Sequence, residues 1–346
     1  MKFTQVFLEA IGYELPTNII TSASIEERLK PLYQKLFLQP GQLEALTGIK
    51  ERRWWNPGHV NSREAAKAAR KALEEANIPP EDIGVLVYTG VCRDNFEPAT
   101  ACAVAAELGL PPTAMIYDIS NACLGVMNGV IDIANRIELG QIKAGLVVAC
   151  ETAREITDIM MDRMIAEGTM NFFKTALATL TGGSGAVGVI LTNGSYGKEK
   201  PQLKGAASMA APEFHKMCRW GFDRNDPPRA AQMMETNAVG LLTHGKELVA
   251  KLGRAFFSEL QWAKESVDRL ISHQVANANR MAILNALGLS ADKDFSTFPF
   301  LGNMGTVSLP ITAAIATERG FLLHGQQVVF TGIGSGLNSL MLGWKW

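Results

Sequence analysis

The chain has 346 residues, 47% of them hydrophobic and 19% charged, with 33 Lys and Arg set against 34 Asp and Glu. That balance describes a globular protein of two domains or one large α/β unit and implies no nucleic-acid or other polyanionic partner. No apolar run approaches the roughly 20 residues of a membrane span. The opening stretch MKFTQVFLEAIGYELP lacks the apolar core and cleavage site of a secretory signal. Five cysteines without CxxC pairing (Cys92, Cys102, Cys123, Cys150, Cys218) argue against a disulfide framework or a zinc site, so a cytoplasmic setting is expected.

Helix-like and strand-like segments alternate along the chain. SREAAKAARKALEEANI (62–78) has a serine start, helix formers and an apolar stripe, and GVLVYTG (84–90) follows as a buried strand. Next come a helix through ATACAVAAELGL, a strand AMIYDIS, a helix after Cys123 and a strand AGLVVAC. Helices between fully apolar strands predict a layered α/β architecture.

The later half repeats the earlier one. VDRLISHQ (267–274) matches IGVLVYTG (83–90) in pattern, setting Thr89 opposite His273. An offset of 180 residues pairs Gly125 with Gly305, Ile131 with Ile311 and Glu138 with Glu318, and it sets Cys123 opposite Asn303. Each half closes on a glycine-rich turn and an apolar strand, GGSGAVGVILT (182–192) and GIGSGLNSLML (332–342). Ordered matches across several elements predict duplicated halves, with boundaries at 1–195 and 196–346. Such halves bring Cys123, His273 and Asn303 to similar ends of matching elements, where α/β folds build sites.

Each of these residues alone has an ordinary reading. Cys123 alone is a packing residue, His273 a strand-end residue and Asn303 a cap or turn residue. Together they form a Cys–His–Asn set, with the cysteine at the mouth of a helix whose amides favour the thiolate and should lower the thiol pKa.

NACLG (121–125), HQ followed by AN, GNMGTVSLP (302–310) and the terminal GIGSGLNS resemble, in order and spacing, the signatures of the thiolase superfamily in its ketoacyl synthase III branch. The resemblance extends to TGIKERRWW (47–55) and covers nearly the whole chain. It implies the five-layer αβαβα thiolase fold of two pseudo-symmetric halves, and a homodimer. It further implies that Cys123 takes an acyl group from a thioester. His273 and Asn303 would then hold the second thioester as an enolate, and backbone amides at Cys123 and at Gly334, Ser335 and Gly336 would receive the oxyanion. Coenzyme A thioesters would be the substrates, an acyl carrier protein a further candidate partner, and no tightly bound cofactor or metal is implied.

CRDNFEPATA (92–101) and RRWW resemble more narrowly the OleA-type enzymes that condense two acyl-CoAs head to head. That likeness makes Glu97 a base reaching the partner subunit's site. Read on its own, Glu97 before Pro98 serves a helix start equally well. Malonyl-using synthases hold coenzyme A with a tryptophan and an arginine before TGI, and here those positions are Gln42 and Leu46. The leading expectation is therefore a non-decarboxylative Claisen condensation. A decarboxylating 3-oxoacyl synthase III and a non-catalytic thiolase-fold partner protein are the alternatives.

Three further segments carry signals of their own. GSGAVG (183–188) fits a dinucleotide fingerprint but runs into a strand, with no acidic residue about 20 positions on. Met160, Met164, Phe172 and Phe173 lie in DIMMDRMIAEGTMNFFKTA, which reads either as core or as the lining of an acyl tunnel. Lys246, Lys251 and Arg254 share a helix that either faces solvent or docks a coenzyme A phosphate or an acidic carrier.

Overall fold

The computed structural model describes residues 1–197, 199–222 and 232–346. Among these residues, thirteen strands run in chain order: β1 Phe7–Glu14, β2 Asn18–Thr21, β3 Glu51–Trp54, β4 Ile83–Tyr88, β5 Met115–Asp118, β6 Ala144–Glu151, β7 Gly185–Thr192, β8 Gln202–Ala210, β9 Cys218–Phe222, β10 Gln232–Thr236, β11 Arg269–Ser272, β12 Gln327–Gly334 and β13 Asn338–Lys345. Nine of them join in the order β11-β12-β13-β8-β1-β7-β6-β4-β5, with β2–β3 and β9–β10 as separate hairpins.

The nine-stranded array divides where β1 meets β8 through one residue pair, Phe7 with Gln202. On one side, β1 and β7 are antiparallel, β7 and β6 antiparallel, and β6, β4 and β5 mutually parallel. On the other, β8 and β13 are antiparallel, β13 and β12 antiparallel, and β12 and β11 parallel, with a bridge from Leu270 to Asp294 in the place of a fifth strand. The two halves thus share one order and one pattern of directions. Thr89 donates its amide to Val148 at the end of β4 (2.8 Å), and His273 donates to Thr331 at the end of β11 (2.9 Å), as the match of the two segments requires.

Strand side chains alternate between two apolar layers, as a period of two dictates. Val85, Val87, Val147 and Val187 of the first sheet and Val328, Phe330 and Leu342 of the second face a common core containing the helices Gly125–Glu138 and Ser308–Glu318. Leu86, Tyr88 and Leu146 point the other way, against the helices Asn61–Ala76 and Thr100–Leu108. On the far face of the second sheet, Leu270, Val329 and Met341 pack against the helices Ala238–Leu260 and Asn277–Leu287. The layers are therefore helix, sheet, helix, sheet, helix. Strands β6 and β7 are buried along their whole length, which is why their sequences are continuous apolar runs.

A fourth apolar cluster lies apart. It packs Ile25, Leu29 and Tyr33 against Trp54, Met160, Met161, Met164 and Phe173. No helix among the described residues is long and apolar enough to cross a membrane.

Candidate active site

Strand β5 ends at Asp118, whose carboxylate accepts from the Thr100 and Ala101 amides at 3.1 and 3.0 Å and so caps the neighbouring helix. Cys123 follows in a 3-10 turn, Ala122–Leu124, that leads straight into the helix Gly125–Glu138. The turn is held at both ends. Asn121 accepts from the Asn338 side-chain amide at 3.0 Å, and the Val126 amide donates to the Thr306 hydroxyl at 2.7 Å. Position 125 admits only glycine: a Cβ there would lie 2.2 Å from the Thr89 carbonyl oxygen.

Asn303 is fixed by its own loop. Its amide donates to Thr181 (2.9 Å), its carbonyl accepts from Gly183 (2.8 Å), and its side-chain Oδ1 accepts from the Gly305 amide (3.0 Å). With Oδ1 so engaged, the NH₂ of the same side chain is the end left to donate elsewhere. His273 is buried and leaves β11 between two tethered neighbours. Ser272 donates to Asp294 at 3.0 Å, while Gln274 donates to the Ser272 carbonyl (2.7 Å) and accepts from Thr297 and Phe298. Among the described residues, no group bonds the His273 Nδ1.

Three segments meet here. A Cβ at Gly332 of β12 would stand 2.6 Å from Leu124, next to Cys123, and 3.9 Å from the His273 Cβ. One at Gly334 would stand 3.1 Å from Leu124 and 3.4 Å from the Asn121 carbonyl, so the Gly334–Gly336 turn borders the cysteine as well. Asn303 joins through the Thr306–Val126 bond, which links positions 180 residues apart.

The electrostatics differ from the sequence-based expectation for the thiol. Cys123 is pushed up to about 12, chiefly by burial, with smaller contributions from Cys218 and Glu151 nearby. Removing the thiolate from water outweighs the favourable amides of the helix start. The resting residue is a neutral thiol. Burial also lowers His273 to about 4, so its imidazole is neutral.

Glu151, the last residue of β6, escaped the sequence reading. Its carboxylate is buried and accepts from the Val91 amide at 2.9 Å and the Cys92 amide at 3.2 Å, and the nearby Thr306 amide also favours its ionised form. Burial raises it to about 7 despite those donors. The available signal was an acidic residue closing an otherwise apolar strand, GLVVACE.

Glu97 does not enter this chain's own cluster. It is exposed on the 91–99 segment, beside Phe96, which is 81% exposed and meets Phe222 of the β9–β10 hairpin in a tilted contact, ring centroids 5.9 Å apart. Arg93 and Asp94, which bond to Asp118 and to the Ser62 amide, anchor the root of that segment. Met160 and Met164 are buried in the fourth apolar cluster with Phe173. Phe172 lies at the edge of that cluster under the Arg163 guanidinium. Lys246, Lys251 and Arg254 are exposed along the helix Ala238–Leu260. Gln42 and Leu46 share the helix Gln42–Thr47, where Leu46 is exposed. A cavity of about 390 Å³ lies beside this helix, lined by Gly48, Asn277, Arg280, Asp294, Ser296, Phe298 and Pro299, and none of the Cys–His–Asn set reaches it.

The thiolase N-terminal domain family matches residues 61–183, and the C-terminal domain of 3-oxoacyl-[acyl-carrier-protein] synthase III matches residues 257–346. The chain is 53% identical to an acyl-CoA:acyl-CoA alkyltransferase of Shewanella oneidensis and 35% identical to one of Xanthomonas campestris, with full coverage of both chains in each case. Its structure is similar to Xanthomonas campestris OleA. The match to a Cys-to-Ala variant has a TM-score of 0.94 at 34% identity and covers 100% of this chain and 98% of that one. A Cys-to-Ser variant crystallised with lauric acid and lauroyl-CoA matches with a TM-score of 0.93 at 34% identity, covering 99% and 100%. A layered thiolase fold of two like halves, a cysteine turn wedged between them and full-length identity of 53% lead to one assignment: the chain belongs to the acyl-CoA:acyl-CoA alkyltransferase (OleA) family, acyltransferases of the thiolase superfamily.

Proposed function

We propose that the protein joins two fatty acyl-CoAs by a non-decarboxylative Claisen condensation to a β-ketoacyl-CoA. The observation that carries this reading is the convergence of the Cys123 turn with a neutral His273 and with an Asn303 side chain whose oxygen is already committed to Gly305. The Cys123 sulfur attacks the first thioester, and its proton passes to His273 and on to the departing coenzyme A sulfur. Backbone amides of Cys123 and of the Gly334–Gly336 turn receive the tetrahedral oxyanion. The second acyl-CoA then offers its carbonyl oxygen to His273 and the Asn303 NH₂. A carboxylate removes its α-proton, the resulting enolate attacks the acyl-cysteine carbonyl, and Cys123 leaves and regains a proton.

The base in this reading is Glu97 of a second copy of the chain. Within its own chain Glu97 stays exposed, and the exposed Phe96 beside it supplies apolar surface for a homodimer contact. The half comprising 1–195 supplies the nucleophile and the base, and the half comprising 196–346 supplies His273 and Asn303. Coenzyme A serves as the acyl carrier only, in a cytoplasm that keeps the five free cysteines reduced.

The match to the synthase III family favours a second reading, decarboxylative use of malonyl-CoA or a malonyl carrier protein. Incubation with a long-chain acyl-CoA alone, followed by free coenzyme A release and the mass of the Cys123 peptide, separates the two. Acyl-Cys123 and β-ketoacyl product from acyl-CoA alone is the expected result. Turnover only after malonyl-CoA is added would transfer the case to the second reading, and absence of acylation in both arms would overturn both.

A further inference from the structure

Glu151 takes no part in the chemistry just described, yet its carboxylate is buried against the two segments that handle the second substrate. Val91 and Cys92, whose amides it accepts at 2.9 and 3.2 Å, are the root of the segment that carries Glu97. The Thr306 amide, which also favours the ionised carboxyl group, belongs to the turn in which Gly305 fixes the Asn303 side chain. That turn is moulded to the carboxyl group: Gly305 has a φ of 56°, and a Cβ on it would lie 3.2 Å from the Glu151 Cδ. Thr306 in turn receives the Val126 amide, three residues beyond Cys123.

We propose that Glu151 is a positioning residue for carbon–carbon bond formation, one carboxylate that holds the oxyanion-binding Asn303 turn and the base-bearing segment in fixed relation. The inference rests on the condensation reading above and deepens it. Because Glu97 serves the partner's site in that reading, Glu151 also joins the Asn303 of one site to the base of the other. Neutral packing does not replace it: two backbone N–H groups donate to its two oxygens, and loss of the acceptor strands them away from water. Glutamine keeps the shape but turns an NH₂ donor toward one of these amides, so that amide loses its partner.

The test is the variant Glu151→Gln, compared with wild type in two half-reactions. Acylation of Cys123 by lauroyl-CoA is followed by peptide mass, and β-ketoacyl formation is followed in multiple turnover. We expect acylation to change by less than about threefold and condensation to fall by about tenfold or more, the size expected when a buried donor is orphaned. The pH profile supplies a readout that plain packing would not move. Wild-type condensation should rise as pH passes about 7 and Glu151 ionises, and the variant should lack that rise. The titratable groups facing Glu151 are the Tyr88 hydroxyl and the thiols of Cys92, Cys123 and Cys150, all of them raised and neutral through that range.

Condensation at the wild-type rate in Glu151→Gln, or equal loss of both half-reactions, would overturn the proposal. If the glutamine variant does not fold, Glu151→Asp keeps the acceptors but draws them back by one methylene. The same split at smaller amplitude is expected there, and its absence is decisive in the same way. A wild-type chain that neither acylates nor condenses would overturn the condensation reading itself, and the role of Glu151 with it.

Discussion

Asn303 shows how little of a side chain's chemistry lies in its identity. Its Oδ1 belongs to Gly305, so the residue acts through the opposite end of the amide. Asn303→Asp keeps the Gly305 bond and the shape but removes the NH₂ donor. We expect acyl-Cys123 to form normally while condensation falls by about 10²–10³-fold, as for loss of one oxyanion donor. Product formation at more than a third of the wild-type rate would contradict that assignment. His273 makes a different prediction, one about stability. Burial lowers its ring from 6.5 to about 4, so between those values the unfolded chain takes up a proton that the folded chain refuses. Its contribution is fully present above pH 6.5 and is lost as pH falls toward 4, on the order of 3 kcal/mol in all. The melting temperature of wild type should therefore fall more steeply from pH 7 to pH 4 than that of His273→Gln; parallel curves would contradict it.

At the scale of elements, a 3-10 turn leads into each of the two central helices, Ala122–Leu124 before one and Gly305–Val307 before the other. The sequence carried the pairing of these segments openly: Gly125, which opens the first helix, and Gly305, which opens the second turn, stand 180 residues apart, and the Val126–Thr306 bond spans that same interval. Gly125→Ala would place a methyl carbon 2.2 Å from the Thr89 carbonyl, an overlap that only movement of the helix start or of β4 can relieve. A loss of about 1–3 kcal/mol is expected by chemical denaturation, together with slowed acylation, because the displaced element carries Cys123. A variant as stable and as readily acylated as wild type would contradict this account of the turn.

Buried strands were legible for a related reason, since sheets covered on both faces spell continuous apolar words such as GLVVAC. What stayed illegible depends on three-dimensional neighbours. The sign of the Cys123 shift turns on how much water the pocket excludes, a quantity the residues around it in sequence do not encode. Glu151 ends an apolar strand, and the groups around its carboxylate come from segments 60 residues before it and 155 after it. The methionines of the helix Arg154–Glu167 read as core more readily than as tunnel lining, and their partners Ile25, Leu29 and Tyr33 come from a segment more than 120 residues away in sequence.

For the molecule as a whole, the central question is where Glu97 acts. One chain brings Cys123, His273 and Asn303 to one locus and leaves Glu97 exposed on a segment whose root is tied down by Glu151, Asp94 and Arg93. A rigid root with an apolar, exposed tip suits delivery into another copy. Two inactive variants test this directly. Cys123→Ala lacks the nucleophile and Glu97→Ala lacks the base, so neither should condense acyl-CoA alone. If the base acts across a twofold interface, random exchange makes half of the dimers mixed, and one of the two sites in each mixed dimer regains both groups. Equimolar mixing after subunit exchange should then restore about a quarter of wild-type condensation. Persistent inactivity of the exchanged mixture, or full condensation by Glu97→Ala alone, would contradict the shared site.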